Sequence, residues 1–358
     1  METGRVRPCF LASLLVALAA PVGATMSAQG VVLPDALERP AATVKQLEHA
    51  IFEAVTAAGD RLVAVGERGL IALSDDGGKS WRQARVPVSV GLTAVAFTTS
   101  QAGWAVGHAG VVLRTADGGE NWSKELDGIK VAQIVAGSLP AGASSERVDH
   151  LLAEGPDKPF LDVHFRTADD GFVVGAFGLM LRTRDGGKTW TSLTLEVPNP
   201  NALHLYAIRP AGGSLYVAGE QGLVLRSDDG GVTFTAVATP YRGSWFTVVG
   251  DSSGKVLLAG LRGNAFFTTD RGATWQPAGL SVPVSVTAAV LAPDGHLLIA
   301  NQGGQIFAAD AIGAPLDPWQ GGLPSPTGLC MAADGTPVAA TLNGMRRLAR
   351  ALARPKSP

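Results

Sequence analysis

From about residue 50 to 348 the chain is a succession of short runs in which apolar and polar residues alternate, cut by glycine-rich turns. That period of two belongs to half-buried strands. The stretch 92–126 serves as a model unit: residues 92–98, 103–107, 111–115 and 122–126 read as four strands, from innermost to outermost. The first unit follows the same plan at 51–56, 61–65, 70–73 and 81–86. Later units open at Phe160, near Leu203, at Trp245, at Val284 and at Gly328.

A turn between second and third strands counts the units. VGERG at 65 returns as VGHAG at 106, VGAFG at 174, AGEQG at 218, AGLRG at 259, ANQGG at 300 and TLNG at 341. The closing glycines Gly69, Gly110, Gly178, Gly222, Gly263, Gly304 and Gly344 are 41, 68, 44, 41, 41 and 40 residues apart. Such a period of roughly 40–45 residues, with four strands in each, predicts an all-β, seven-bladed β-propeller. The long interval marks an insertion at 127–159, in which Ser145 caps a short helix placing Val148, Leu151 and Leu152 on one side, ended by Gly155.

A second motif joins third and fourth strands. SDDGGKSW at 74 recurs as TADGGENW at 115, TRDGGKTW at 183, SDDGGVTF at 227 and TTDRGATW at 268, an Asp-box pattern. The carboxylates of Asp76, Asp117, Asp185, Asp229 and Asp270 are expected to accept hydrogen bonds from their own turns. Trp81, Trp122, Trp190, Phe234 and Trp275 would then enter the next strand and pack between sheets. The sixth unit keeps Asp310 and Trp319 without the glycine spacing; the seventh has three strands and no box. An open blade exposes backbone donors and acceptors, so residues 31–45 are expected to supply the missing strand and close the ring.

Composition adds limits. Hydrophobic residues make up 46% and charged residues 17%, which suits many strands and leaves a single propeller over 30–350 with a loose tail at 351–358. A net charge of -2 gives no bulk attraction for nucleic acid. Residues 1–24 read as a secretory signal, with Arg5 and Arg7 ahead of an apolar run and small residues at Val22-Gly23-Ala24; cleavage after Ala28 is the alternative. The mature chain is then expected to be periplasmic or extracellular, at most peripheral to a membrane, and monomeric. Cys330 would remain as a lone, buried cysteine. The six histidines, at 49, 108, 150, 164, 204 and 296, lack metal-ligand spacing, so neither metal nor cofactor is expected.

The boxes within their VGxxG, third-strand, DGGxxW context resemble the BNR-like repeats of the photosystem II stability and assembly factor family, over residues 50–350. The resemblance implies a non-catalytic propeller that binds and helps assemble a membrane-associated protein complex. Sialidases also carry such boxes, and a sialidase-like glycoside hydrolase or a carbohydrate-binding module is the alternative. A sialidase needs an arginine trio and a tyrosine paired to a glutamate; the tyrosines are Tyr206, Tyr216 and Tyr241, and no Arg-Ile-Pro opening occurs.

Connectivity places all boxes on one face and the VGxxG turns, with the blade-to-blade links, on the other. Binding residues gather on variable loops held by a rigid scaffold, so the partner-binding face is assigned to the turns. It comprises Glu67, Arg68, His108, Phe177, Glu220, Gln221, Arg262, Gln302 and Asn343, with His204 from the link at 197. Tyr241, Arg242 and Trp245 of the link TPYRGSWF at 239 are its expected anchors.

Overall fold

A computed structural model describes residues 35–139, 145–153, 155, 157–280 and 282–349; the expected signal at 1–24 and the tail from 351 lie outside the described residues. Seven antiparallel sheets stand in a ring, six of four strands and the last of three, each in simple meander order. Their innermost strands are Phe52–Ala58, Leu92–Phe97, Phe160–Phe165, Leu205–Ala211, Trp245–Gly250, Val286–Leu291 and Pro326–Met331. Each packs against the next, and the seventh returns to the first. The architecture is the seven-bladed β-propeller that the repeat predicts.

Burial explains the strand patterns. The second strands, such as Gly103–Gly107, Gly171–Gly175 and Val256–Gly260, are buried along their whole length, because they lie mid-sheet with a blade packed on either face. The outer strands Arg82–Gln83, Thr191–Ser192, Thr235–Ala236 and Gln276–Pro277 pair over only two residues each before the chain leaves for the next blade.

Each box turn is a wedge between blades as well as a brace. In the third blade, Asp185 accepts the backbone N–H of Thr189 at 2.9 Å and its hydroxyl at 2.6 Å, while Thr183 Oγ1 accepts the N–H of Gly187 at 2.8 Å. Gly231 shows why the wedge needs glycine: its φ is +83°, and a Cβ would lie 2.3 Å from the Phe172 ring of the preceding blade. Trp122 and Trp190 are buried, and their indole N–H groups donate to the carbonyls of Gly119 at 2.9 Å and Gly187 at 3.0 Å. Trp81, Phe234 and Trp275 are only half-buried, so packing between sheets is complete in two of the five boxes. Cys330 is buried as expected, and burial pushes its thiol up to about 12.

Hydrogen bonds, first from Thr189, hold the Asp185 carboxyl down at about 2. Because the folded value is below the unfolded one, the stabilisation is fully present above about pH 4 and is lost as pH falls through about 2. Asp185→Ala is therefore expected to lower the melting temperature at neutral pH and to flatten its decline between pH 4 and 2, which melts across that range will show.

The insertion holds two helices, Gly128–Gly137 and Glu146–Ala153. The second begins directly after Ser145, where it was expected, with the N–H of Asp149 donating to the Ser145 carbonyl at 2.9 Å; Asp127 caps the first, accepting the N–H of Lys130 at 3.1 Å. Val131, Val135 and Val148 are buried in a cluster with Trp104 and Phe160, so the pair covers blades two and three.

Ring closure differs from the expectation. The seventh blade stays three-stranded among the described residues, and 35–45 adds no strand to it; Val31 to Pro34 lie outside the described residues. This segment runs instead along the outside of blade one, where Ala36 accepts the N–H of Ser89 at 2.7 Å, Ala41 donates to Val86 at 3.0 Å and Val44 to the Gln83 side chain at 2.8 Å. Ala36, Leu37 and Ala41 cover the apolar cluster around Val86 and Val88. Apolar side chains that need cover lie on blade one, and that decides the path. The chain then meets blade seven just before its first strand: Gly344 donates to Ala50 at 2.7 Å, and a Cβ on Gly344 would lie 2.1 Å from the Glu48 carbonyl. At Gly69, Gly263 and Gly304 the corresponding contact is with the outgoing link of the same blade, through Val88, Val282 and Leu323. The N-terminal segment thus takes the place of the seventh blade's link, and the wedge of blade one, with Gly78 against Val338, completes the circle.

Candidate functional site

The face opposite the boxes is built from the seven second-to-third-strand turns and the links. In five turns the tip residue is left-handed with a side chain: Arg68, Ala109, Phe177, Gln221 and Arg262 have φ between +52° and +58°. That backbone costs roughly 1–2 kcal/mol for a residue with a Cβ. Glu67, Arg68, His108, Gln221, Arg242, Arg262, Gln302 and Asn343 are exposed on this face, and Glu220 and His204 are half-buried. Phe177 is 42% exposed, one of four large apolar residues so placed among those described.

Two expected anchors are structural. Trp245 is wholly buried, because it opens the first strand of blade five and faces inward between blades. Tyr241 is half-buried edge-on to it at 5.2 Å and donates its hydroxyl to the Leu261 carbonyl at 3.2 Å. The Tyr-Arg-Gly-Ser-Trp link is a packed connection, and Arg242 alone of the three stands on the surface.

One feature of the face is repeated seven times. Every innermost strand is bulged at its second residue, since the pairing register against the second strand slips between its first and third residues. A bulge re-aims the side chain it carries. The bulged residues Glu53, Thr93, Leu161, Tyr206, Phe246, Thr287 and Thr327 form a ring where the inner strands leave the turn face. Three are ties between blades: Thr93 donates to the Phe160 carbonyl at 2.7 Å, Thr287 to Pro326 at 2.6 Å and Thr327 to Phe52 at 2.7 Å.

The other polar and aromatic members make up the site. Phe177, His204, Tyr206 and Phe246 form a continuous arc of edge-on rings with centroids 5.1, 6.2 and 5.2 Å apart, crossing blades three, four and five. His204 Nδ1 accepts the backbone N–H of Phe177 at 3.0 Å. Glu220 accepts the N–H of His204 at 2.9 Å and the Tyr206 hydroxyl at 3.4 Å. Lys158 lies 5.7 Å over the Phe177 ring. Across the ring, burial and then the neighbouring Glu67 push the Glu53 carboxyl up, partly offset by His108.

The turn motifs point to Phe177, His204, Glu220 and Gln221, but Tyr206, Phe246 and Glu53 escape a sequence reading. A bulge has no composition signature in these strands, where its position holds Glu, Thr, Leu, Tyr or Phe. Their only signal is the shared place, one residue into each inner strand.

Tyr206 with Glu220 is the tyrosine–glutamate pair a sialidase would need. Burial, followed by Glu220, pushes the phenol up to about 12, which opposes its use as a nucleophile. Tyr216 is buried. Arg209, Arg182 and Arg226 are held by Asp162, Asp170 and Asp228. Among the described residues no three His, Cys, Asp or Glu side chains group as metal ligands, and no helix is long and apolar enough to cross a membrane.

Comparisons with known proteins fit this geometry. No curated protein matches the sequence. Among solved structures, "YCF48 bound to D1 peptide" is similar with a TM-score of 0.61 at 15% identity, covering 86% of this chain and 97% of that one. YCF48 from Cyanidioschyzon merolae is similar at 0.59 and 15%, covering 83% and 95%. The Niastella koreensis GH74 enzyme is similar at 0.58 and 15%, covering 87% of this chain and 44% of that one. At such identities the likenesses show the fold alone, and enzymes share it. The family model described as "Photosynthesis system II assembly factor YCF48" matches residues 73–134 and 151–278, more than half of the sequence, and the chain belongs to that family.

Proposed function

We propose that this chain is an exported, non-catalytic scaffold that binds an extended segment of a protein partner on its turn face and so helps assemble or stabilise a membrane-associated complex. The aromatic arc from Phe177 to Phe246 is the observation that carries the reading: four rings are gathered at the mouth of the propeller on the turn face. Aromatic groups in such settings anchor interfaces. Glycine would suit the left-handed tip at 177 better than phenylalanine, yet Phe177 stands there, 42% exposed. The family's relative described with a bound D1 peptide supports a peptide-like ligand, and the apolar run behind Arg5 and Arg7 supports export.

Affinity purification from the native envelope tests it. The full-length protein is expected to retain a membrane-associated partner, and Phe177→Ala to weaken retention roughly tenfold or more without changing the melting temperature. Equal retention by the two proteins would move the binding surface elsewhere. The Tyr206–Glu220 pair keeps a sialidase-like hydrolase as the second reading; release of fluorophore from a fluorogenic sialoside, abolished by Tyr206→Phe, would establish it in place of the scaffold.

A further inference from the structure

We propose that His204 is a pH-sensitive latch on the aromatic arc: neutral, it holds Phe177 in place for the bound segment; protonated, it leaves Phe177 for Glu220. The proposal rests on the peptide-binding reading of the turn face and names how binding there is regulated.

The bond to Phe177 fixes the state of the ring. A backbone N–H can only donate, so His204 Nδ1, which accepts the Phe177 N–H at 3.0 Å, carries no proton, and the ring's own N–H is at Nε2. A proton on Nδ1 would set two N–H groups against each other and break the bond. An acceptor for that proton stands beside it, since Glu220 Oε2 is 3.5 Å from Nδ1. The carboxylate is kept there by the backbone: the His204 N–H donates to Oε2 at 2.9 Å, and the Glu220 N–H donates to the His204 carbonyl at 3.0 Å. The ring therefore has two partners that exclude one another, one for each charge state.

What the bond holds is the turn tip of the preceding blade. Phe177 stands at φ +55°, a backbone that a residue with a Cβ adopts at a cost, and its ring lies edge-on to His204 at 5.1 Å. Loss of the Nδ1 acceptor loosens the tip and the ring contact together. Around the pair, Tyr206 stays a neutral phenol, pushed up to about 12 by burial and then Glu220, and Lys158 lies 5.7 Å over the Phe177 ring. The charge that answers a proton on His204 is that of Glu220.

Two blades on, the same latch is made without a titratable group. Ser285 precedes the inner strand of blade six as His204 precedes that of blade four, and its hydroxyl accepts the N–H of Arg262, the tip of blade five, at 3.1 Å. The tie between neighbouring blades is thus a repeated feature of the ring. At 204 it is carried by an imidazole, the side chain whose charge ordinarily changes between about pH 5 and 8.

The full-length protein labelled with 15N-phenylalanine and 13C-histidine supplies the test. His204→Ser, which copies Ser285, identifies the His204 resonance, and Phe177→Ala identifies the Phe177 amide. Between about pH 8 and 5 the Phe177 amide is expected to shift with the same midpoint as the His204 ring and to stay still in His204→Ser. His204→Asn, whose side-chain oxygen also accepts, serves as a second variant. A His204 ring that keeps one charge across this range, or a Phe177 amide that does not follow it, overturns the latch. Peptides free of His, Asp and Glu, selected from a random linear library for binding wild type but not Phe177→Ala, read the regulation. Their affinity is expected to fall roughly tenfold across the same range, the loss of one aromatic anchor; in the His204 variants the affinity, whatever its level, does not change with pH. An equal fall in wild type and variants, or none in wild type, overturns the regulation and leaves peptide binding standing. Selection of no peptide overturns peptide binding, and the amide titration then decides the latch alone.

Discussion

Trp104→Ala is expected to destabilise the propeller by about 3–5 kcal/mol, lowering its melting temperature by roughly 5–8 °C for a chain of this size. Trp104 is wholly buried in the second strand of blade two, stacked on Phe165 of blade three at a centroid distance of 3.6 Å. Its indole N–H also donates to Gly186, in the box turn of blade three, at 3.3 Å. Alanine removes the ring, the stacking and that bond together, at a junction whose neighbours are fixed by their own sheets and cannot collapse inward. Trp104→Phe keeps most of the contact and is expected to recover more than half of the loss. Thermal melts of the two variants check this; equal losses would mean that the hydrogen bond, and not the packing, holds the junction.

Deleting residues 35–45 is expected to cost about 3–6 kcal/mol, the burial of a few apolar side chains. It uncovers the cluster that Ala36, Leu37 and Ala41 protect and the one that Val44 protects, and it removes the hydrogen bonds along Gln83 to Ser89. The segment also brings Glu38 to Lys124 of blade two at 2.6 Å. That pair is largely solvated on the Glu38 side, so Glu38→Gln is expected to change stability by less than about 1 kcal/mol. Urea unfolding of the two variants separates apolar cover from charge. A deletion no worse than Glu38→Gln would show that blade one needs no cover.

Much of the molecule is written locally. A box such as TRDGGKTW makes its bonds within four residues, Thr183 donating to Asp185 and accepting from Gly187 and Asp185 accepting from Thr189, so the residues alone set the turn. The VGxxG turns are equally local, and their spacing sets the number of blades and the face on which Phe177, Glu220 and Gln221 emerge. The buried Trp245 and the path of residues 35–45 were not legible, because both depend on partners distant in sequence: Phe266 at 6.0 Å for the first, Val86 and Ser89 for the second.

The candidate site divides along the same line. The sequence by itself determined the strands, the turns and which loops share a face, since those follow from alternation and glycine placement. Only the tertiary structure decided that Glu53, Tyr206 and Phe246 occupy equivalent bulged places in the ring of inner strands. Their strands lie more than 150 residues apart at the extremes and are joined by closure of the ring, and a one-residue register slip in each inner strand aims them. Register is set by which face of a strand finds apolar cover, and that cover comes from the neighbouring blades.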